Sequence, residues 1–87
     1  MNNELRTAIQ KKLGERIKQL RLKKNLRQTE VAKICGFHKS NYNSIELGLR
    51  NVSLANIYKI AFALGVPVSS FFVDSDFEDF LKRYRNH

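Results

Sequence analysis

The sequence predicts an all-α protein of five or six helices. In one segment after another, apolar residues recur at steps of three and four, which is the spacing of a single α-helical face. Glycine, asparagine, serine and proline fall between these segments, where helices begin and end. No stretch alternates apolar and polar residues as a half-buried strand does. The 87 residues have the length of one small domain.

The first segment, residues 4–24, predicts one long helix or two consecutive ones. Its apolar stripe comprises Leu5, Ala8, Ile9, Leu13, Ile17 and Leu20. Asn25 is expected to end it, because asparagine tolerates the left-handed conformation of a helix C-cap. We expect residues 1–12 to be an N-terminal helical extension and residues 13–73 to form the main domain.

Two short helices follow, at about residues 28–35 and 39–47. The turn between them falls at Gly36, where a positive φ carries no Cβ penalty. The second helix offers short or flexible hydrogen-bonding side chains, namely Lys39, Ser40, Asn41, Asn43 and Ser44. Such a face is typical of a helix that reads base edges in DNA. On these residues alone, an ordinary solvated face is the simpler interpretation.

The remainder predicts a fourth helix, a short helical turn and a last helix within residues 74–87. Ser53 is a good N-cap for residues 54–64, and Pro67 opens the short turn. This half has no net charge and carries many apolar side chains for a small domain, which predicts a homodimer interface. The candidates are Ile57, Leu64, Phe71, Phe72, Phe77, Phe80 and Tyr84. The alternative is that they pack within one subunit.

The basic excess lies in the first part of the chain. Sixteen lysine and arginine residues stand against eight acidic residues, a net charge of +8. Residues 1–52 hold twelve basic and four acidic side chains, and residues 53–87 hold four of each. A polyanion such as double-stranded DNA is the natural partner, since neutralising phosphates releases counterions. A basic surface kept for solubility is the alternative.

Several other classes of protein are not indicated. The single cysteine, Cys35, precludes an internal disulfide and fits a reducing cytosol. No metal site is expected from one cysteine and two scattered histidines. There is no signal peptide and no apolar run that spans a membrane, so we expect a cytoplasmic protein. Without a catalytic triad, a phosphate-binding loop or paired carboxylates, we expect neither an enzyme nor a cofactor, and no small-molecule effector is evident.

Residues 13–72 resemble the Cro/C1-type helix-turn-helix family of phage and bacterial repressors, also called the XRE family. The resemblance is carried by LGERIKQLR, LRQTEVAKICGF, YNSIELGLRN and SLANIYKIAFALGVPVSSFF. It implies a lambda-repressor-like helical bundle that binds DNA. Within the family, the run RNVSLANIYKIAFALGV looks most like the controller proteins of restriction–modification systems, which are small dimeric regulators.

The resemblance also implies roles for individual residues. The side chains facing bases would be Lys39, Ser40, Asn41 and Ser44, with Asn43 beside them. Those holding the DNA backbone would be Arg16, Gln28, Arg50 and Asn51. Arg21 and Glu46 match a partly buried salt bridge between the first helix and the recognition helix. Two residues depart from the family pattern. His38 stands where the family usually has a serine or threonine N-cap, and it is itself a candidate for phosphate contact. Leu47 replaces a residue that is commonly polar.

These features together predict a sequence-specific transcriptional regulator that binds a pseudo-palindromic operator as a homodimer. An alternative is an antitoxin that binds a toxin protein through its C-terminal helix and represses its own promoter. A third possibility is the DNA-targeting segment of a larger enzyme.

Overall fold

The computed structural model describes residues 3–73 and 75–86, with the backbone alone for residues 75–77. Within these residues the chain forms five α-helices and one 3₁₀ turn, and no strand. They are α1 (Asn3–Lys23), α2 (Gln28–Cys35), α3 (Lys39–Glu46), α4 (Leu54–Leu64), the 3₁₀ turn (Val68–Phe71) and α5 (Ser75–Arg85). The all-α prediction is confirmed.

Local chemistry sets the helix ends. Asn25 adopts a φ of +57° just beyond α1, which is the left-handed conformation expected of it. The turn between α2 and α3 passes through Gly36 at a φ of +76°. At the start of α4, the Ser53 hydroxyl accepts a hydrogen bond from the Asn56 amide at 3.1 Å. The helices α1, α2 and α4 therefore each begin or end on a residue whose side chain or backbone freedom favours that place.

The core lies where α1 packs across α3, α2 packs on α3 and α4, and the 3₁₀ turn packs on α1 and α4. The largest fully buried side chains are Tyr42, Phe71, Ile17, Ile60, Leu64 and Val31. Two of them, Leu64 and Phe71, were expected at a dimer interface. They are 2% and 0% exposed in the single chain, so no surface remains for a partner, and we assign both to the core. Ile57 is partly buried against the same core.

Three of the four remaining aromatic candidates have contacts within the subunit. The Phe80 and Tyr84 rings of α5 lie 6.0 Å apart, and the Lys12 ammonium of α1 lies 5.9 Å from the centre of the Phe80 ring. Phe72 is 43% exposed, with its ring edge-on to Phe71 at 6.3 Å. The side chain of Phe77 lies outside the described residues. A helical period identifies an apolar face, but it does not say whether that face meets the same chain or another one.

The α1 and α3 backbones touch directly. A Cβ atom built on Gly14 would lie 2.5 Å from the carbonyl oxygens of both Ile45 and Glu46. A Cβ atom on Gly48 would lie 2.6 Å from the Cα atom of Lys11. These distances are shorter than real Cβ contacts, so glycine is required at both positions. The two contacts hold the C-terminal end of α3 against the middle of α1.

We expect Gly14→Ala to destabilise the fold by about 1–3 kcal/mol, the usual cost of overpacking. In an isolated helix the same change stabilises by about 1 kcal/mol, because alanine has the higher helix propensity. Urea unfolding followed by circular dichroism measures the difference. Thr7→Ala, at an exposed position of the same helix, is the control and should shift the free energy of unfolding by less than about 0.5 kcal/mol. A Gly14→Ala variant as stable as the wild type would refute the close approach.

Candidate nucleic-acid interface

The third helix presents one buried side and one polar side. Tyr42, Ile45 and Glu46 are buried. Lys39 and Ser40 are exposed, and the remaining predicted base-contacting side chains are partly exposed. His38 is the N-cap of α3, but its imidazole makes no capping hydrogen bond. The first turn of α3 therefore offers backbone N–H groups that no cap side chain occupies, next to an exposed imidazole and an exposed ammonium.

A buried ion pair joins α1 to α3, as the resemblance implied. The Arg21 Nε atom donates to Glu46 Oε2 at 2.6 Å, and Nη2 donates to Glu46 Oε1 at 3.0 Å. The two side chains are only 9% and 2% exposed. A third donor, Nη1, bonds the Leu26 carbonyl oxygen at 2.9 Å in the turn before α2. One guanidinium thus fixes α3, α1 and this turn relative to one another.

The charges of this pair persist although it is buried. Burial opposes ionisation of Glu46, but hydrogen bonds from Arg21 and Gln28, together with the nearby Tyr42 hydroxyl, hold the pKa of the carboxyl below its usual value. The hydrogen bond to Glu46 raises the pKa of Arg21 in turn. Burial raises the pKa of Tyr42, so its phenol stays neutral. The Tyr42 hydroxyl oxygen has no well-aligned hydrogen bond among the described residues.

Gln28 extends this network to the exposed face of α3. Its Nε2 atom donates to Asn43 Oδ1 at 2.9 Å and to Glu46 Oε1 at 3.0 Å. A side-chain amide carries two hydrogens, and both are used here within the protein. The expected grip of the Gln28 side chain on a phosphate therefore has no free donor in this structure. Its role here is to fix the orientation of Asn43, whose own amide N–H groups then point away from Gln28.

The opposite flank of α3 carries the loop residues. The Arg50 Nη2 atom donates to Asn41 Oδ1 at 2.8 Å. With Asn51 and Asn56, these two residues line a pocket of about 130 Å³. The structure therefore brings the predicted residues Asn41, Arg50 and Asn51 together. Closer to the helix axis, the Ser44 hydroxyl donates to the Ser40 carbonyl oxygen at 3.0 Å.

Arg16 lies elsewhere. Its Nε atom donates to the Ser70 carbonyl oxygen in the 3₁₀ turn at 2.9 Å, and Nη1 donates to Gln19 Oε1 at 3.4 Å. It lines neither of the two cavities that flank α3. The first of these bonds attaches the 3₁₀ turn to α1, and the expected contact of Arg16 with the DNA backbone stays a prediction.

A second, larger groove on the α1 side of α3 was not foreseen. It measures about 390 Å³ and is lined by Lys11, Glu15, Lys18, Gln28, Asn43, Glu46 and Leu47. Leu47 is 56% exposed at the end of α3. The seven-residue spacing of the two lysines was a signal, since positions two turns apart share a helix face. The sequence did not show that α3 would lie along that face.

An exposed apolar surface on α4 and α2 was also missed. Leu54, Tyr58 and Phe62 are 70%, 58% and 80% exposed, and Ile34 is 52% exposed beside them. Ile34, Tyr58 and Phe62 border one open groove. The signal was in the sequence: α4 is apolar on nearly every side, and a helix of that kind is normally covered all round.

Two other kinds of site are absent from the described part of the chain. It contains no group of three or more histidine, cysteine, aspartate or glutamate side chains placed to hold a metal ion. No helix there is long and apolar enough to cross a membrane.

Comparison with known proteins identifies a domain that includes this site. A helix-turn-helix family profile matches residues 17–71, more than half of the chain. The control protein C.BamHI of Bacillus amyloliquefaciens is 43% identical over 67 residues, which cover 76% of this chain and 78% of that protein. The control protein C.MunI of a Mycoplasma species is 39% identical over 71 residues, covering 80% of this chain and 96% of that one. The crystal structure of the restriction–modification controller protein C.AhdI from Aeromonas hydrophila superposes with a TM-score of 0.72 at 40% identity, over 75% of this chain and 98% of that chain.

The ion pair should make folding sensitive to acid. The folded-state pKa of Glu46 lies below its ordinary value of 4.5. Its contribution is therefore fully present above about pH 4.5 and is lost as the pH falls through the lower, folded-state pKa. We expect the free energy of unfolding of the wild type to decline over this acidic range. Glu46→Gln should cost about 3 kcal/mol at pH 7, because it leaves Arg21 buried and unpaired, and should flatten the decline. Urea titrations at several pH values measure both effects, and parallel pH profiles for the two proteins would contradict this account.

Proposed function

This chain belongs to the Cro/C1-type helix-turn-helix family of transcriptional regulators, and we propose that it is a sequence-specific DNA-binding regulator acting as a homodimer. Its operator would be pseudo-palindromic, with one half-site for the α3 helix of each subunit. The principal support is that α3 is rigidly held by the Arg21–Glu46 pair and Gln28 while a polar face remains exposed. Precise base recognition needs this combination of a fixed scaffold and free hydrogen-bonding groups.

In the bound state α3 would lie in the major groove, with its first turn closest to the bases. Lys39 is exposed at the start of α3, where its ammonium can donate to guanine O6 and N7. Asn43 accepts from Gln28 through Oδ1, so its amide N–H groups remain to donate. Asn43 would therefore favour a base edge that presents an acceptor over cytosine N4, which is a donor. On the other flank, Arg50 and Asn51 would hold the DNA backbone, and His38 would do so beside the first turn.

The relatives favour one biological setting. Two are called control proteins and a third is a restriction–modification controller protein. We propose that this chain likewise controls genes of a restriction–modification system. The names of these relatives favour this regulator over the antitoxin alternative. Operator occupancy would be the mechanism: a bound dimer excludes RNA polymerase from an overlapping promoter, or recruits it from an upstream site.

For the dimer, we propose that the interface is formed by the apolar surface of α4 and α2. Phe62 and Tyr58 are far more exposed than large aromatic side chains usually are, and interfaces are enriched in such residues. The interface expected from the sequence included Ile57 and Leu64 of α4, but its aromatic residues lay further along the chain. Of that set, Phe80 and Tyr84 contact each other and Phe72 contacts Phe71 within the subunit. Burying the α4 surface would also add to the stability of a small domain.

The base-reading role of Lys39 is tested by selecting binding sites from random double-stranded DNA and repeating the selection with Lys39→Ala. We expect the wild type to prefer its selected site over random DNA by about 10³ or more. Lys39→Ala should lose about 1–3 kcal/mol of discrimination at one base pair per half-site, since a good base contact carries that much. Lys33→Ala, which removes an exposed lysine at the end of α2, is the matched control and should select the wild-type site.

Two outcomes would count against the proposal. If no selected sequence bound more than about tenfold more tightly than random DNA, a sequence-specific regulator would be excluded. If Lys39→Ala lowered the affinity for the selected site and for random DNA equally, Lys39 would contact a phosphate and would not read bases.

The proposed interface is tested by analytical ultracentrifugation. We expect the wild type to sediment as a dimer at micromolar concentration and Phe62→Lys to sediment as a monomer, because the change places a charge in the apolar surface of α4. Phe72→Lys is the comparison variant and should remain dimeric. If only Phe72→Lys dissociated, the interface would lie near the 3₁₀ turn, as the sequence first indicated. A monomeric wild type would remove the dimer from the proposed function.

A further inference from the structure

We propose that Lys11 and Lys18 of α1 bind the phosphate backbone of the operator at the C-terminal end of α3. These two residues will be called the α1 lysines. The inference rests on the proposed function and adds a second point of attachment to it, in the 390 Å³ groove between α1 and α3. None of the backbone contacts expected from the sequence includes either lysine.

The position of the α1 lysines follows from the backbone contact between the helices. The Cα atom of Lys11 would lie 2.6 Å from a Cβ atom on Gly48, so α1 passes directly beside the residues that follow α3. Lys18 is seven residues further along, which is about two turns and returns to nearly the same face. Both lysines are exposed and line the same groove. Their ammonium groups are therefore carried by a rigid helix that the core holds against α3.

The groove has few other donors for a phosphate. The Gln28 amide uses both hydrogens on Asn43 and Glu46. Arg21 is buried and does not line the groove, and Nε, Nη1 and Nη2 each donate to Glu46 or to the Leu26 carbonyl. Leu47 has no hydrogen-bonding side chain, although the family commonly has a polar residue there. The cations among the described residues that line the groove are the α1 lysines, so a phosphate entering it would meet them.

The location identifies the anion as nucleic-acid backbone. The groove is bordered by Asn43, which lies on the exposed face of α3 and is proposed to face the bases. A helix seated in the major groove lies between two phosphate strands, so a cleft at its flank receives the backbone on that side. One carboxylate opposes this binding: Glu15 is exposed in the same groove, whereas the Glu46 carboxylate is paired with Arg21. Its charge should lower the affinity for DNA.

The experiment measures the association constant of the full chain for its selected DNA site as a function of salt concentration. Each phosphate neutralised by a protein contributes about 0.9 to the slope of log K against log salt. Because each substitution is present in both subunits of the proposed dimer, we expect Lys11→Gln and Lys18→Gln each to make the slope shallower by about 1.8, and the double variant by about 3.6. Each of these variants should lower the affinity for selected DNA and for random DNA by the same factor, because phosphate contacts carry no sequence information. Glu15→Gln should tighten binding to both.

The matched control is Lys23→Gln. Lys23 is an exposed lysine of the same helix, but it follows Lys18 by five residues and so points about 140° away around α1. Lys23→Gln removes the same charge as either test substitution and should leave the salt slope unchanged. Thermal melting of each variant should match the wild type, since all of these side chains are exposed.

The outcomes separate this inference from the proposed function. If the wild type prefers a selected site but the double variant keeps the wild-type slope, the α1 lysines do not bind phosphate and the inference fails alone. If Lys23→Gln lowers the slope as much as either α1 lysine, the effect is one of net charge and the inference also fails. If the wild type shows no preferred site, the proposed function fails first.

Discussion

The ion pair between Arg21 and Glu46 is the contact on which the geometry of the DNA-binding face depends. Its carboxylate accepts from two residues on different helices, so the orientation of α3 is set from both α1 and α2. Replacing such a pair by apolar residues is often neutral for stability, whereas removing one partner is costly. Its contribution here is geometric: two hydrogen bonds between Arg21 and Glu46 orient α3 on α1, and Gln28, which donates to the same carboxylate, also donates to Asn43.

A second constraint is purely steric. Because Gly14 and Gly48 lack side chains, the backbones of α1 and the end of α3 can touch. This contact gives α1 two functions. Its inner face supplies core residues, and the face turned toward α3 forms one wall of the groove that Lys11 and Lys18 line. The basic residues of the first 52 positions therefore have different tasks. Arg16 and Arg21 make hydrogen bonds within the fold, whereas Lys11, Lys18 and Lys39 are exposed on the two helices that border the groove.

The apolar residues of the second half are divided in a similar way. Phe71 and Leu64 complete the core, Phe80 and Tyr84 pack on each other, and the aromatic side chains of α4 stay at the surface. A domain of this size has little interior volume, so it cannot bury every side of α4 by itself. A second subunit placed over Tyr58 and Phe62 would remove that exposed surface, and it would bring a second α3 helix to the same DNA.

The sequence by itself determined the helices, their ends and the family, because these depend on local spacing and on side chains such as Ser53 and Asn25 that act within a few residues. It also identified Arg21 and Glu46 through the resemblance. Only the tertiary structure decided which polar donors are already used. Gln28 is occupied by Asn43 and Glu46, and Arg16 by Ser70, and these partners lie 15, 18 and 54 residues away. A donor bonds to the acceptor that the fold places next to it, and a pattern in the sequence does not show which distant residue that will be.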